Sequence, residues 1–232
     1  MSQPQLILIP GLLNDAELWR DQVADLACVA RPVVADITQG ETLAALAQDV
    51  LAIAEPRFAL AGFSLGGIVA QEIMRIAPER VDHLALLDTT MLPDAPEREA
   101  ERRRLVAQAG NRGKFHGFGE KLLQTYLAPE NLQNADMAER VRGMTERLGP
   151  EVFIRQSLID RPDSRSSLRQ IVCPTLVLCG SEDVLTPPDL HRKMAVEIPN
   201  SQLVIVPDSG HLTPIERPDA VSGALRLLLA RK

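Results

Sequence analysis

Hydrophobic and polar positions change period along the chain in a regular way. Gln5-Leu6-Ile7-Leu8-Ile9 carries no charge and stops at Pro10-Gly11, the pattern of a strand buried on both faces. Asn14-Asp15 can cap a helix from Ala16 to about Ala27, with Leu18, Trp19, Val23 and Leu26 at helical spacing. Arg31 to Ile37 reads as a second strand. Thr42 opens a helix through Leu43, Leu46, Val50 and Ile53 that Pro56 stops. Phe58 to Phe63 is a third strand, followed by a helix to about Ala77 and a fourth strand, Val81 to Asp88. The same alternation resumes later with strands Pro174–Cys179 and Ser201–Val206, and helices from Pro188 to about Ile198 and from Glu216 to Leu229. Alternating strands and helices predict an α/β fold, a parallel sheet of about six strands with helices on both faces.

The rhythm breaks between about Pro93 and Ser167. Helix-like pieces replace it: Ala95–Ala109, Lys114–Leu127, Ala135–Leu148 and Pro150–Ile159, punctuated by Gly110, Gly113, Pro129 and Gly149. The division expected is a core of residues 1–92 and 168–232 with a helical lid, residues 93–167, over the carboxyl edge of the sheet. The plainer alternative is a helical extension of the core. The return of the strand pattern favours an insertion.

The chemistry gathers at that edge. Gly62-Phe63-Ser64-Leu65-Gly66-Gly67 follows the third strand and opens a helix, the strand–turn–helix context of a nucleophile elbow. Its plain reading is a serine that caps a helix. Asp183 follows the fifth strand and His211 the sixth. A serine hydroxyl needs a base to become a nucleophile, and an imidazole needs a carboxylate to fix its tautomer. Parallel strands would bring all three to one rim. Asp88, ending the fourth strand, is the main rival for the acid, and an Asx turn is the plain reading of Asp183. His83, His116 and His191 are the rival bases; His83 sits at a strand start, on the opposite edge. Two N–H donors are needed for an oxyanion. The backbone of Leu65 and of Leu12, in the loop after the first strand, are the candidates.

Composition narrows the partners. Of 232 residues, 24% are charged and the net charge is −6, without the basic stripe that nucleic acid requires. Arg102-Arg103-Arg104 lies among Glu97, Glu99 and Glu101 and reads as a solvated helix face laced with ion pairs. No apolar run is long enough to span a membrane and no signal peptide is visible. Cys28, Cys173 and Cys179 make an odd, unpaired set whose spacing is not that of a zinc site. A cytoplasmic protein is expected. Five Phe, one Tyr and one Trp argue for an aliphatic substrate pocket of Leu, Met and Ile rather than an aromatic cage.

In these residues the chain resembles the α/β-hydrolase superfamily. The matching stretches are Leu8-Ile9-Pro10-Gly11, Gly62 to Gly67, Gly180-Ser181-Glu182-Asp183 with Thr186-Pro187-Pro188, and Gly210-His211. The order Ser64, Asp183, His211 is that of the superfamily and favours Asp183 over Asp88. Gly210-His211-Leu212 with Ile215-Glu216-Arg217-Pro218 is similar to the ends of small esterases and enol-lactonases. The resemblance implies hydrolysis of small-molecule esters, lactones or thioesters, with no metal or organic cofactor. Two departures stand out: Pro10-Gly11 replaces the usual His-Gly, and the first strand starts near Gln5 without a preceding hairpin, which leaves an edge strand to be covered or paired. Leu13, Arg155 and Arg161 are further substrate-binding candidates, the arginines as partners of a substrate carboxylate or as plain surface charges. Carbon–carbon bond hydrolysis or lysis, perhydrolysis, and a non-enzymatic ligand receptor are the rival readings.

Overall fold

The computed structural model describes residues 3–109 and 120–231, with only the helical backbone at 120–122. Strands β1 (Gln5–Ile9), β2 (Arg31–Val34), β3 (Phe58–Phe63), β4 (Val81–Leu87), β5 (Thr175–Gly180) and β6 (Ser201–Val206) form one sheet in the order β2-β1-β3-β4-β5-β6. Every neighbouring pair is parallel. The continuous apolar runs have a simple cause. Alternate residues serve two cores: Leu6 and Leu8 pack on one face of the sheet, Ile7 and Ile9 on the other.

The helices are α1 (Arg20–Leu26), α2 (Leu43–Ile53), α3 (Leu65–Ile76), α4 (Pro96–Ala109), α5 (Glu120–Tyr126), α6 (Ala135–Leu158), α7 (Arg165–Leu168), α8 (Pro188–Glu197), α9 (Thr213–Glu216) and α10 (Pro218–Leu229). Leu26 of α1 and Leu225 of α10 join the first core. Leu46 of α2, Val69 of α3 and Met194 of α8 join the second. From β1 the chain winds outward to β2, then returns across β1 to β3. The loops after β1 and β3 therefore part at the switch point, where open α/β sheets leave a crevice.

Several boundaries differ from the sequence pattern for local reasons. β2 stops at Val34, short of Ile37, and Asp36 accepts a hydrogen bond from the Thr38 N–H at 2.8 Å, a turn that competes with the strand. The first helix begins as a 3-10 turn, Ala16–Trp19, capped by Asp15. The closing helix is two helices, because Arg217 (φ −138°) is non-helical and Pro218 starts a new one. Gly149 (φ 72°) kinks α6 where two helices were expected. β2 is an edge strand of four half-exposed to exposed residues containing Pro32, so this edge is blunted rather than covered.

Helices α4 to α6 lie between β4 and β5 in the chain, and α4 packs on α6. The helix expected at Lys114–Leu127 is seen over Glu120–Tyr126; Gly110, Gly113, Lys114 and His116 lie outside the described residues. Among the described residues no helix is long and apolar enough to cross a membrane.

Candidate active site

Ser64 stands between β3 and α3 with φ 51° and ψ −114°, a conformation that costs a side chain of this type on the order of 1–3 kcal/mol. Its surroundings hold it there. The Ser64 N–H donates to the Leu87 carbonyl at 2.9 Å, and its own carbonyl accepts from Thr89 Oγ1 at 2.7 Å. The turn is tight enough to need glycine: a Cβ on Gly62 would lie 2.3 Å from the Gly66 carbonyl oxygen, and one on Gly66 2.4 Å from the carbonyl oxygens of Ile9 and Pro10.

The three side chains singled out from the sequence meet. Ser64 Oγ lies 3.0 Å from His211 Nε2, and His211 Nδ1 lies 2.8 Å from Asp183 Oδ2. Asp183 and His211 are each 2% exposed. Asp183 Oδ2 also accepts from Thr186 Oγ1 at 2.6 Å, while Oδ1 accepts the N–H groups of Leu185 and Thr186 at 2.8 and 2.9 Å. Burial pushes the Asp183 carboxyl up, but the His211 charge, its hydrogen bond and the Thr186 bonds outweigh burial and hold it below the ordinary value. Such a row lets an imidazole take the hydroxyl proton while an ionised carboxylate steadies the imidazolium.

Elements around the imidazole fix its loop. The His211 N–H donates to the Tyr126 carbonyl at 2.8 Å. The N–H groups on either side, of Gly210 and Leu212, donate to Glu216 Oε1 at 2.9 and 3.2 Å. Glu216 Oε2 accepts from Ala128 N–H and Asn131 Nδ2, both at 2.7 Å. The ring itself sits between Phe63 and Tyr126, with centroids 5.2 and 5.4 Å away. Burial pushes the Tyr126 phenol up to about 12.

The rival residues have other partners. Asp88 is fully buried, accepts the Gly180 N–H at 3.0 Å and pairs with Thr213 Oγ1. Burial first, then the Asp183 charge, push it well above the carboxylate range. His191 is buried in α8; its Nδ1–H faces the Pro187 carbonyl at 3.3 Å and its Nε2 accepts the Thr89 N–H at 3.1 Å. Those partners fit a neutral ring, and burial lowers its pKa to about 4. His83 Nε2 contacts the Arg231 carbonyl at 2.9 Å, and His83 sits near the start of β4 rather than at its carboxyl end. His116 lies outside the described residues.

Leu12 and Leu65, the two residues with candidate backbone donors, both line the cavity that holds Ser64. The Leu65 N–H is the first of α3, so it has no acceptor within the helix. The Leu12 N–H makes no hydrogen bond among the described residues, and its neighbour Leu13 (φ 53°) is pinned by its own N–H on Gln156 Oε1 at 2.9 Å. Gln156 Nε2 reaches the Ile37 carbonyl at 3.2 Å. Leu13 is thereby fully buried in the core.

A cavity of about 420 Å³ opens beside Ser64 and His211. Leu12, Leu65, Ile68, Leu105 and Leu185 give it the expected aliphatic wall, with Tyr126 and Phe153 added. Among the described residues no methionine lines it, and charged side chains share the lining. There Arg102 meets Asp94 at 2.7 Å, with Arg98 and Arg161 at 3.6 and 3.9 Å from the same carboxylate. Burial first, then Arg102, lower the Arg161 pKa to about 10. Arg155 does not line the cavity; it donates to the Thr38 carbonyl. Arg102 is the departure from the solvated face expected of Arg102-Arg103-Arg104. Arg103 and Arg104 pair with Glu99 and Glu101 at 2.6 Å as expected, but consecutive helix residues point about 100° apart, so the third turns inward. Asp94 and Arg98 left one signal in the sequence, an acid four residues before a base; Gln156 left none.

Comparison with known proteins follows the same lines. The alpha/beta hydrolase family model matches residues 6–224. The chain is 29% identical to the pimeloyl-[acyl-carrier protein] methyl ester esterase of Pectobacterium carotovorum subsp. carotovorum (strain PC1), over 93% of this chain and 90% of that protein. It is 30% identical to a Mycobacterium tuberculosis (strain CDC 1551 / Oshkosh) protein provisionally named a non-heme bromoperoxidase, over 71% of this chain but only 64% of the relative's length. Among solved structures, a thermophilic esterase from Thermogutta terrifontis superposes with a TM-score of 0.87 at 31% identity, covering 98% of this chain and 90% of that one. Fold, ordered motifs and the matched family span agree: this chain belongs to the alpha/beta hydrolase family.

Proposed function

We propose that the protein is a serine hydrolase that cleaves carboxylic esters, or related lactones and thioesters, of small to medium acyl groups through an acyl-enzyme on Ser64. In this reading His211 accepts the Ser64 proton, Asp183 orients the imidazole, and the N–H groups of Leu12 and Leu65 hold the oxyanion. His211 then protonates the leaving alcohol and later activates water. Residues 93–167 act as a lid that roofs the acyl cavity, whose volume of about 420 Å³ falls in the range of small-molecule sites. The observation that carries the reading is the unbroken row of contacts, 3.0 Å from Ser64 Oγ to His211 Nε2 and 2.8 Å from His211 Nδ1 to Asp183 Oδ2. Esterase names among the relatives support ester over carbon–carbon chemistry.

The test is turnover of p-nitrophenyl acetate and butyrate by the natural sequence and by Ser64→Ala. The variant is expected to lose at least about 10³-fold in kcat while keeping the far-UV circular dichroism of the parent. Equal rates in the two proteins would refute the assignment.

A further inference from the structure

The charged wall of the cavity is not needed for acyl transfer. Within it, Arg104 is paired with Glu101 at 2.6 Å. The other three guanidiniums, of Arg98, Arg102 and Arg161, share the one carboxylate of Asp94. They are held in place by main-chain oxygens: Arg98 by Leu185 at 2.7 Å, Arg161 by Ile159 at 2.9 Å, and Arg102 by Ser157 and Ile159. Two of the three are largely removed from water, with side chains 20% (Arg102) and 11% (Arg161) exposed. Arg102 Nε is buried without a hydrogen-bond acceptor among the described residues. Buried cations in excess of their counter-charge are costly. A chain of net charge −6 that concentrates such an excess in the cavity holding Ser64 has a specific use for it.

We infer that Arg98, Arg102 and Arg161 form a subsite for a free carboxylate on the substrate, so that the preferred esters are half-esters of dicarboxylic acids or lactones bearing a carboxylate. Asp94 shows which partner this cluster accepts: a carboxylate, whose Oδ2 lies 2.7 Å from Arg102 Nη2 while Arg102 Nε is left without an acceptor among the described residues. The inference rests on the reading of Ser64 as nucleophile. In that reading the ester carbonyl sits between Ser64 and the Leu12 and Leu65 N–H groups while the distal carboxylate reaches across the cavity to the arginines. The aliphatic residues lining the same cavity, Ile68 and Leu105 among them, suit the methylenes that separate the two ends.

Two measurements test this and separate it from the parent reading. The first compares kcat/KM for monomethyl succinate, glutarate and adipate with that for methyl hexanoate. At least one half-ester is expected to exceed the neutral ester by about 10- to 100-fold, the value of one charge-assisted contact. The ratio should collapse in Arg102→Gln and Arg161→Gln, partly survive in Arg161→Lys, and fall least in the half-exposed Arg98→Gln. The second measures equilibrium binding of the same half-esters to the Ser64→Ala protein by calorimetry, which needs no turnover. Saturable binding that Arg161→Gln weakens by a similar factor supports the subsite. No preference over methyl hexanoate, or a preference unchanged in both Gln variants, overturns it even if ester hydrolysis is established. Absence of half-ester binding overturns it whatever the reaction proves to be.

Discussion

Asp88 shows how two carboxylates of similar promise take different roles. Both end strands at the same rim and both are buried, yet their partners differ. Asp183 faces an imidazole and three donors; Asp88 faces one N–H, one hydroxyl and the Asp183 charge. Two adjacent buried carboxylates do not both ionise readily, so Asp88 is the neutral member and ties the Asp183 strand, through Gly180, to Thr213 beside the His211 loop. Asn reproduces a neutral group with the same reach, so Asp88→Asn should fold and keep most ester turnover. Asp88→Ala leaves the Gly180 N–H buried and unpaired and should cost about 1–3 kcal/mol. The pH dependence has a definite sign. The folded pKa of Asp88 lies well above the ordinary value of 3.8, so its stabilising share is complete below about that pH and is lost as pH rises towards the folded pKa. Asn does not titrate. Urea midpoints of Asp88→Asn relative to the parent should therefore rise between pH 4 and pH 7. A constant difference would show that Asp88 ionises as an ordinary carboxylate.

At the scale of elements, Glu216 in α9 joins the His211 loop to the segment after α5. Its four accepted bonds, from Gly210, Leu212, Ala128 and Asn131, come from donors alone, which only a carboxylate satisfies without a clash. In Glu216→Gln the amide NH₂ must face one pair of N–H groups. The expected cost is about 1–3 kcal/mol in stability and about 10- to 100-fold in kcat for a short ester, because the imidazole shifts against Ser64. A purely structural role would lower the melting temperature and leave kcat unchanged. Glu216 was visible in the sequence as part of Ile215-Glu216-Arg217-Pro218, but only as a pattern without a task. The strands were legible because two-sided burial forces continuous apolar runs, as in β1 and β3, where every residue is buried. Ser64, Asp183 and His211 stood out because each follows a strand in a glycine-containing turn and together they are the residue types of a proton-passing row; the structure brings neighbouring side chains of that row within 3.0 Å of each other. The arginine wall was not. Along a helix, a charge that points into a cavity and one that points into water leave the same local pattern, and only packing against α6 distinguishes Arg102 from Arg103.

For the whole molecule, the question is whether α4 to α6 are held firmly to the core or attached loosely. The bonds that decide it link residues more than eighty positions apart, which is why no local pattern announces them. Gln156 of α6, fully buried, holds the loop after β1 and the end of the β2 segment at Leu13 and Ile37. Arg140 of α6 pairs with Asp21 of α1 at 2.6 Å, with its own side chain 9% exposed. Arg147 pairs with Asp15 at 2.8 Å, and Glu216 closes the fourth tie. The Gln156 and Glu216 bonds are buried, and a buried polar bond broken on one side leaves its partner unpaired, so local opening of these helices is costly and the chain should unfold as one unit. The single tryptophan makes this measurable. Trp19 is fully buried against the core shared by α1 and α10, so its fluorescence reports the core face, whereas far-UV circular dichroism also reports α4 to α6. Urea transitions followed by the two signals should coincide, and Gln156→Leu, which breaks the link to the Leu12 loop, should pull the circular dichroism midpoint to lower urea ahead of the fluorescence midpoint. If the two already separate in the natural sequence, the helices between β4 and β5 open on their own, and a cavity of fixed shape beside Ser64 is not what selects the substrate.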